Sequence, residues 1–342
     1  MKNAVLHKEI DQIHHVLRNP KPHVPVVNID STSLFHFIRD EFSRSLPAAD
    51  QVLFPGLFER YENVLTNVRA GNLEQAKFWI DCIDQNPADL PVPVMIGLES
   101  LYFSVRAYFY YASGDYHVAL QKLRTAIGLA NCLANENMPV MIACCYEQSL
   151  NCCRVYYACG EGELVCKEGG KLLLYISAGH SFPNFSLTDT SHFRKEFPEM
   201  QERIVQYATN VIFSKIECLC MIKPGLTKLY FKHLLSPFCE YSGADRQSLS
   251  GYRESMITLM AFYLDEYENY IAALFGLLPL LSGLPVNIQK QLLLNLIELG
   301  NRVNYPDQEG LVSTVLHFST VNFGNELIEV AQGKPRLLKT GR

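Results

Sequence analysis

The chain has 342 residues, 48% hydrophobic and 19% charged, a composition too apolar for long disordered stretches and a length that suits two domains or one extended helical array. Thirty basic and thirty-five acidic residues give a formal net charge of -5 with no dense basic block, which argues against a nucleic-acid partner. The eleven cysteines are scattered and odd in number, and no secretory apolar core precedes them, so reduced thiols in the cytoplasm are expected.

Periodicity is helical almost throughout, and strand-like alternation is hard to find. A first helix is predicted over residues 3–18, separated from the rest by Pro20, Pro22 and Pro25, and residues 1–47 form an N-terminal helical segment. That segment lacks the small turn residue and basic recognition helix of a DNA-binding helix-turn-helix. Residues 48–178 hold three helical hairpins. In the first, a helix over 59–70 turns at Gly71-Asn72-Leu73 into a helix lined by Ala76, Ile80 and Ile83, which Pro87 stops. In the second, Gly114-Asp115-Tyr116 leads into a helix whose Ala119, Leu120, Leu123, Ala126, Ile127 and Leu129 make one apolar stripe. The two turn glycines are 43 residues apart. The third hairpin spans 138–159 and 164–177 about Gly160, and Gly169 and Gly170 weaken its return helix by about 1 kcal/mol each relative to Ala.

Residues 179–198, with Gly179, Pro183, Pro198 and Ser and Thr residues around Asp189, are predicted as a loop or hinge between two halves. Residues 199–334 are predicted as further helical repeats, with helices over 199–222, 226–241 and 288–303. A fourth hairpin, 252–264 and 270–281, turns at Asp265-Glu266-Tyr267 without a glycine. A turn at 306–310, a last helix over 321–333 and a flexible tail at 335–342 complete the chain; Lys334, Arg336, Lys339 and Arg342 make its end basic. The two most apolar stretches are not membrane spans. Residues 94–113 contain Glu99 and Arg106, and residues 270–285 contain Pro279 and fall short of the ~20 apolar residues a crossing helix needs.

Phe103, Ala107, Tyr110, Gly114, Asp115, Tyr116, Ala119, Leu120, Ala126, Ile127 and Leu129 resemble the tetratricopeptide repeat. Gly71, Leu73, Ala76 and Ile80 extend the likeness to the preceding hairpin, whereas Asn63, Asn67 and Arg106 depart from it. The period of about 43 to 48 residues exceeds the family's usual ~34, as in the divergent peptide-sensing relatives with longer helices. The resemblance implies an all-α fold, an α-α solenoid of hairpins wound into a right-handed superhelix. It also implies a concave groove lined by first helices, which would place Leu101, Ser104, Tyr108 and Tyr111 on that surface, followed by Glu147, Leu150, Arg154 and Tyr157. Aromatics with a few charges suit a protein or peptide partner. Glu99 with Arg106, and Glu147 with Arg154, share a seven-residue spacing that fits either an inward polar ladder or a solvated face.

No metal, cofactor or catalytic residue is expected. The cysteines, including Cys144-Cys145, Cys152-Cys153, Cys166, Cys218 and Cys220, never form Cys-x-x-Cys. Cys145, Cys152 and Cys159 recur every seven residues and are predicted to fill one core-facing helix face. His14, His15, His192 and His233 sit in no recognisable nucleophile–base pattern, and no phosphate loop or nucleophile elbow is present. The expected function is that of a non-enzymatic protein- or peptide-binding adaptor or scaffold. The rival readings are a peptide-responsive regulatory sensor, and an enzyme or enzyme accessory subunit with a pocket between helices. Oligomeric state is left open.

Overall fold

The computed structural model describes residues 2–18, 29–52, 54–85, 91–179, 190–240 and 250–323. Among the described residues the fold is all-helical, without a β-strand. Its helices are α1 (Lys2–Leu17), α2 (Ser31–Ser45), α3 (Ala48–Gln51), α4 (Phe54–Arg69), α5 (Leu73–Gln85), α6 (Val92–Ala112), α7 (Tyr116–Asn135) and α8 (Val140–Ala158). They continue with α9 (Gly162–Ala178), α10 (Ser191–Glu196), α11 (Pro198–Ile222), α12 (Thr227–Glu240), α13 (Ser250–Tyr263), α14 (Tyr267–Leu277), α15 (Val286–Arg302) and α16 (Gln308–Phe323). No helix among the described residues is long and apolar enough to cross a membrane.

Two compact units emerge, one of Asn28–Lys215 and one that joins Met1–Val27 to Ile216–Arg342. The division therefore falls within α11 rather than at the predicted hinge over 179–198. Residues 190–198 instead carry α10 and the start of α11, and residues 180–189 lie outside the described part. The predicted N-terminal segment 1–47 is also divided, with α1 in one unit and α2 in the other. Of the predicted last helix over 321–333, only residues up to 323 are described, as the end of α16; the basic tail lies outside.

Among the described residues five hairpins are closed by one device, which recurs where α7 meets α8 at Asn137. Gly71, Gly114, Gly160, Asp265 and Asn304 adopt φ of 77°, 82°, 78°, 58° and 52°. In each turn the following N–H bonds a carbonyl five residues back: Asn72 to Asn67, Asp115 to Tyr110, Glu161 to Tyr156, Glu266 to Ala261 and Tyr305 to Gly300, all at 2.8–2.9 Å. This is the Schellman closure, which satisfies carbonyls that the end of a helix leaves unpaired. Left-handed backbone costs an L-residue about 1–2 kcal/mol, so glycine is the usual choice, and Asp and Asn are the side chains that tolerate it best. The fourth hairpin thus keeps the geometry of the first three without their glycine.

In the unit Asn28–Lys215, α4 packs against α5 and α6, α6 against α7 and α8, and α7 and α9 against α8. Small side chains let α6 and α7 approach: Ala107, Ala119, Leu123 and Val155 form one core cluster, with Tyr110, Tyr111 and Tyr116 leaning on it. Helix α2, within the segment 1–47 expected to be helical, buries Leu34, Ile38 and Phe42 along one stripe and packs on α8. Its Phe42 ring lies so close to Gly97 of α6 that a Cβ there would fall 2.0 Å from Cζ. Gly169 plays the same part in α9, where a Cβ would meet Ile212 of α11 at 3.0 Å. The glycine predicted to weaken that helix is what permits the close crossing.

In the other unit α1 packs against α14, α15 and α16. His7 Nε2 lies 3.0 Å from Val303 O. One turn pair further along α1, buried His14 places Nε2 2.8 Å from Thr314 Oγ1 and Nδ1 3.4 Å from Tyr305 Oη, while Tyr305 Oη donates to Asp11. Asp307, which caps α16 through Gly310 N at 3.2 Å, sits 3.8 Å from both His14 Nδ1 and Arg18. Burial first, and then the Arg18 charge, hold His14 below the ordinary imidazole value of 6.5, against the opposing pull of Asp307 and Asp11. A depressed imidazole favours the neutral form in the fold. Its contribution is therefore complete above pH 6.5 and lost as pH falls through the lower native value. Denaturant midpoints measured from pH 7.5 to 5 should fall less steeply for His14→Gln than for the wild type; parallel curves would remove His14 as a source of acid sensitivity.

Candidate functional site

The residues assigned to a groove separate into two groups once the helices are in place. Leu101 and Leu150 are fully buried, and Glu147 is 2% exposed. None of the three meets a partner at the surface. The cause is the enclosure of α8: every residue from Val140 to Leu150 is buried, because α2, α6, α7 and α9 surround that helix. The resemblance implied an open inner face here, and α2 covers it.

The second group stays partly accessible. Ser104 is half-buried and donates to Ser100 O at 2.9 Å, while Ser100 Oγ reaches Ala126 O at 3.0 Å and so ties α6 to α7. Tyr108 and Tyr111 stack with ring centroids 6.4 Å apart and 15° between planes, and Tyr116 of α7 lies 5.8 Å from Tyr111. Burial raises the Tyr111 hydroxyl above its ordinary value, Tyr116 adds to this, and the nearby Arg154 charge opposes it. The three tyrosines and Arg154 are therefore neighbours. Beyond them Lys215 Nζ of α11 sits 4.5 Å from the centre of the Tyr157 ring, a cation–π contact.

Beneath this surface lies a polar cluster built on the seven-residue spacing of Glu147 and Arg154. Glu147 Oε1 accepts from Ser31 Oγ at 2.6 Å, from Tyr207 Oη at 3.3 Å and from Arg154 Nη1 at 3.4 Å. Arg154 Nη2 donates in turn to Tyr207 Oη at 2.5 Å and lies over the Tyr207 ring. Burial lifts the Glu147 carboxyl above the usual carboxylate range, with Arg154 pulling it back. For Arg154, burial works against the charge, and Glu147 and Tyr207 outweigh it, so the guanidinium stays protonated. The seven-residue spacing thus forms an inward pair on α8. Its other members, Ser31 and Tyr207, come from α2 and α11, and no local periodicity points to them.

The matching pair on α6 does not form. Glu99 is exposed, and Arg106 instead meets Asp84 at 3.4 Å and covers the Tyr102 ring. Tyr102 Oη donates to Asp84 at 2.7 Å and its ring stacks on Tyr61 at 5.1 Å. The cysteine series also departs from expectation: Cys145 is fully buried, Cys152 is half-buried, and Cys159 is exposed at the end of α8. That helix leaves the core at its last turn. Burial pushes the Cys152 thiol up to about 12 and Cys144 up to about 11, the reverse of an activated nucleophile. Among the described residues no group of three or more His, Cys, Asp or Glu is placed to hold a metal ion.

Truncating one member of a buried ion pair strands the other, at a cost of about 3–5 kcal/mol. Arg154→Ala should therefore lower stability by that order in urea unfolding, and Glu147→Gln by less, since the amide keeps a partner for Ser31. Equal, sub-kcal/mol losses would mean that the cluster is solvated. Set against family models, curated proteins and solved structures, the chain matches none.

Proposed function

We propose that this chain is a non-enzymatic adaptor or scaffold that holds a protein or peptide segment, working in a reducing cytoplasmic setting. In this reading its hairpins stack side by side as a right-handed tetratricopeptide-like solenoid. The contacts of α4 with α6, and of α6 with α8, support that arrangement, since first helices of successive hairpins touch.

The observation that carries the proposal is the stack of Tyr108 on Tyr111 beside Tyr116, half-exposed on two helices that are themselves closely packed. Tyrosines supply contact area with little side-chain entropy to lose, and residues that carry most of the energy of an interface are enriched in them. The binding surface is accordingly narrower than the resemblance implied: Ser104, Tyr108, Tyr111 and Tyr157 face the partner, with Lys215 beside them. Arg154 supports the surface from below, and Glu147, Leu101 and Leu150 hold the helices.

Peptide-array binding by the full chain, compared with Tyr108→Ala, tests this surface. A buried aromatic anchor is worth about 2 kcal/mol or more, so the affinity of sequence-selective hits should fall by roughly thirtyfold. Arg154→Ala is a poor probe, because it unpairs a buried carboxylate. Undiminished binding by a correctly folded Tyr108→Ala variant would reject the surface.

A further inference from the structure

In the unit that joins Met1–Val27 to Ile216–Arg342, the corner between α11 and α12 leaves apolar side chains in water. Helix α11 ends at Ile222, and Pro224–Leu226 make a single 3₁₀ turn before α12 begins at Thr227. Backbone bonds fix the corner: Lys223 N–H bonds Leu219 O at 2.8 Å, and Leu226 N–H bonds Lys223 O at 3.0 Å. Pro224, which has no N–H to offer, cannot continue α11. Every residue from Met221 to Leu226 is nonetheless exposed, and Met221, Ile222 and Leu226 keep 63%, 67% and 37% of their surface in solvent.

Cations surround this apolar corner. Helix α12 turns Tyr230, Phe231, Leu234 and Phe238 into the core, where it packs on α13. That leaves Lys228 and Lys232, four residues apart and so on one face, exposed on its outer side. Lys223 is exposed on the corner itself. In a chain of formal net charge -5, no acidic residue occurs between Glu217 and Glu240. None of the three lysines forms an ion pair with another described residue.

A lone exposed apolar side chain is ordinary on a protein surface; three on one rigid corner, with three unpaired cations set behind them, form a pattern with a matching partner. A protein partner usually buries about 800 Å² on each side, more than a corner of three side chains supplies. A lipid headgroup layer needs no shaped counterpart: it admits a few apolar side chains, and its anionic lipids attract lysines close to the surface. We propose that the α11–α12 corner is a docking surface for an anionic membrane, with Met221, Ile222 and Leu226 entering the headgroup layer and Lys223, Lys228 and Lys232 facing the lipid anions. The contact is peripheral, and no described helix is long and apolar enough to cross the bilayer. It lies in the other unit from the tyrosine surface and stands whether or not that surface binds a peptide.

The test is cosedimentation of the full chain with vesicles of phosphatidylcholine alone, and of two parts phosphatidylcholine to one part phosphatidylserine. Reversible binding to the anionic vesicles is expected, well above that to phosphatidylcholine and weakening as sodium chloride is raised. Each lysine near an anionic surface is worth about fivefold in partitioning, so Lys223→Gln, Lys228→Gln and Lys232→Gln combined should lower it by roughly a hundredfold. Met221→Ser with Ile222→Ser should lower it by about tenfold or more. These positions are exposed, so both variants should keep the wild-type thermal midpoint. Equal binding to the two kinds of vesicle, or binding undiminished in either variant, would overturn the proposal. So would self-association of the full chain in sedimentation velocity that Met221→Ser with Ile222→Ser abolishes, since a second copy would then cover the corner.

Discussion

Helix α8 has no solvent-facing side over residues 140–150, because α2, α6, α7 and α9 pack around it, and this enclosure sets the chemistry of the whole unit. A helix buried all round must be apolar or must bring partners for each polar group. Here Glu147, Gln148 and Ser149 enter the core together. Glu147 finds Ser31, Arg154 and Tyr207; Ser149 donates back to Cys145 O at 2.7 Å. Because Arg154 lies two turns further on, where α8 begins to leave the core, its charge reaches the tyrosine surface while its hydrogen bonds remain below it.

Under the proposed function, that arrangement separates support from binding. The residues that fasten α2, α8 and α11 together are polar and largely buried, so changing them acts first on stability. Tyr111 and Tyr116 stand on a core of Ala107, Ala119, Leu123 and Val155, and Tyr108 stacks on Tyr111. Rigid support of this kind would lower the entropy lost in the proposed docking of a partner.

Much of this was legible in the sequence, and the failures have physical reasons. Gly71, Gly114 and Gly160 announced three hairpin turns because left-handed backbone favours glycine strongly. The turn at Asn304 hides behind a residue that tolerates the same φ, and the turn predicted over 306–310 coincides only with its last residues, Pro306 and Asp307, before α16 begins at Gln308. Gly169 read as a weak point because propensity concerns the helix alone, whereas its role is set by Ile212 across a crossing. The Glu147–Arg154 spacing was visible, but whether it faced inward depended on α2, more than a hundred residues earlier. The likeness to a repeat could suggest an open inner face; it could not reveal that α2 packs on α8 there.

The central claim is that α8 is the enclosed axis of the unit Asn28–Lys215. Native-state amide hydrogen exchange, resolved by residue, addresses it most directly, since enclosed helices open only with the global transition while peripheral ones open locally. Amides of Ala143 through Leu150 should exchange slowest in that unit, well behind those of α4 and α5. If α8 exchanged as fast as α5, its burial by α2 would not hold in solution, and the division between supporting cluster and tyrosine surface would fall with it.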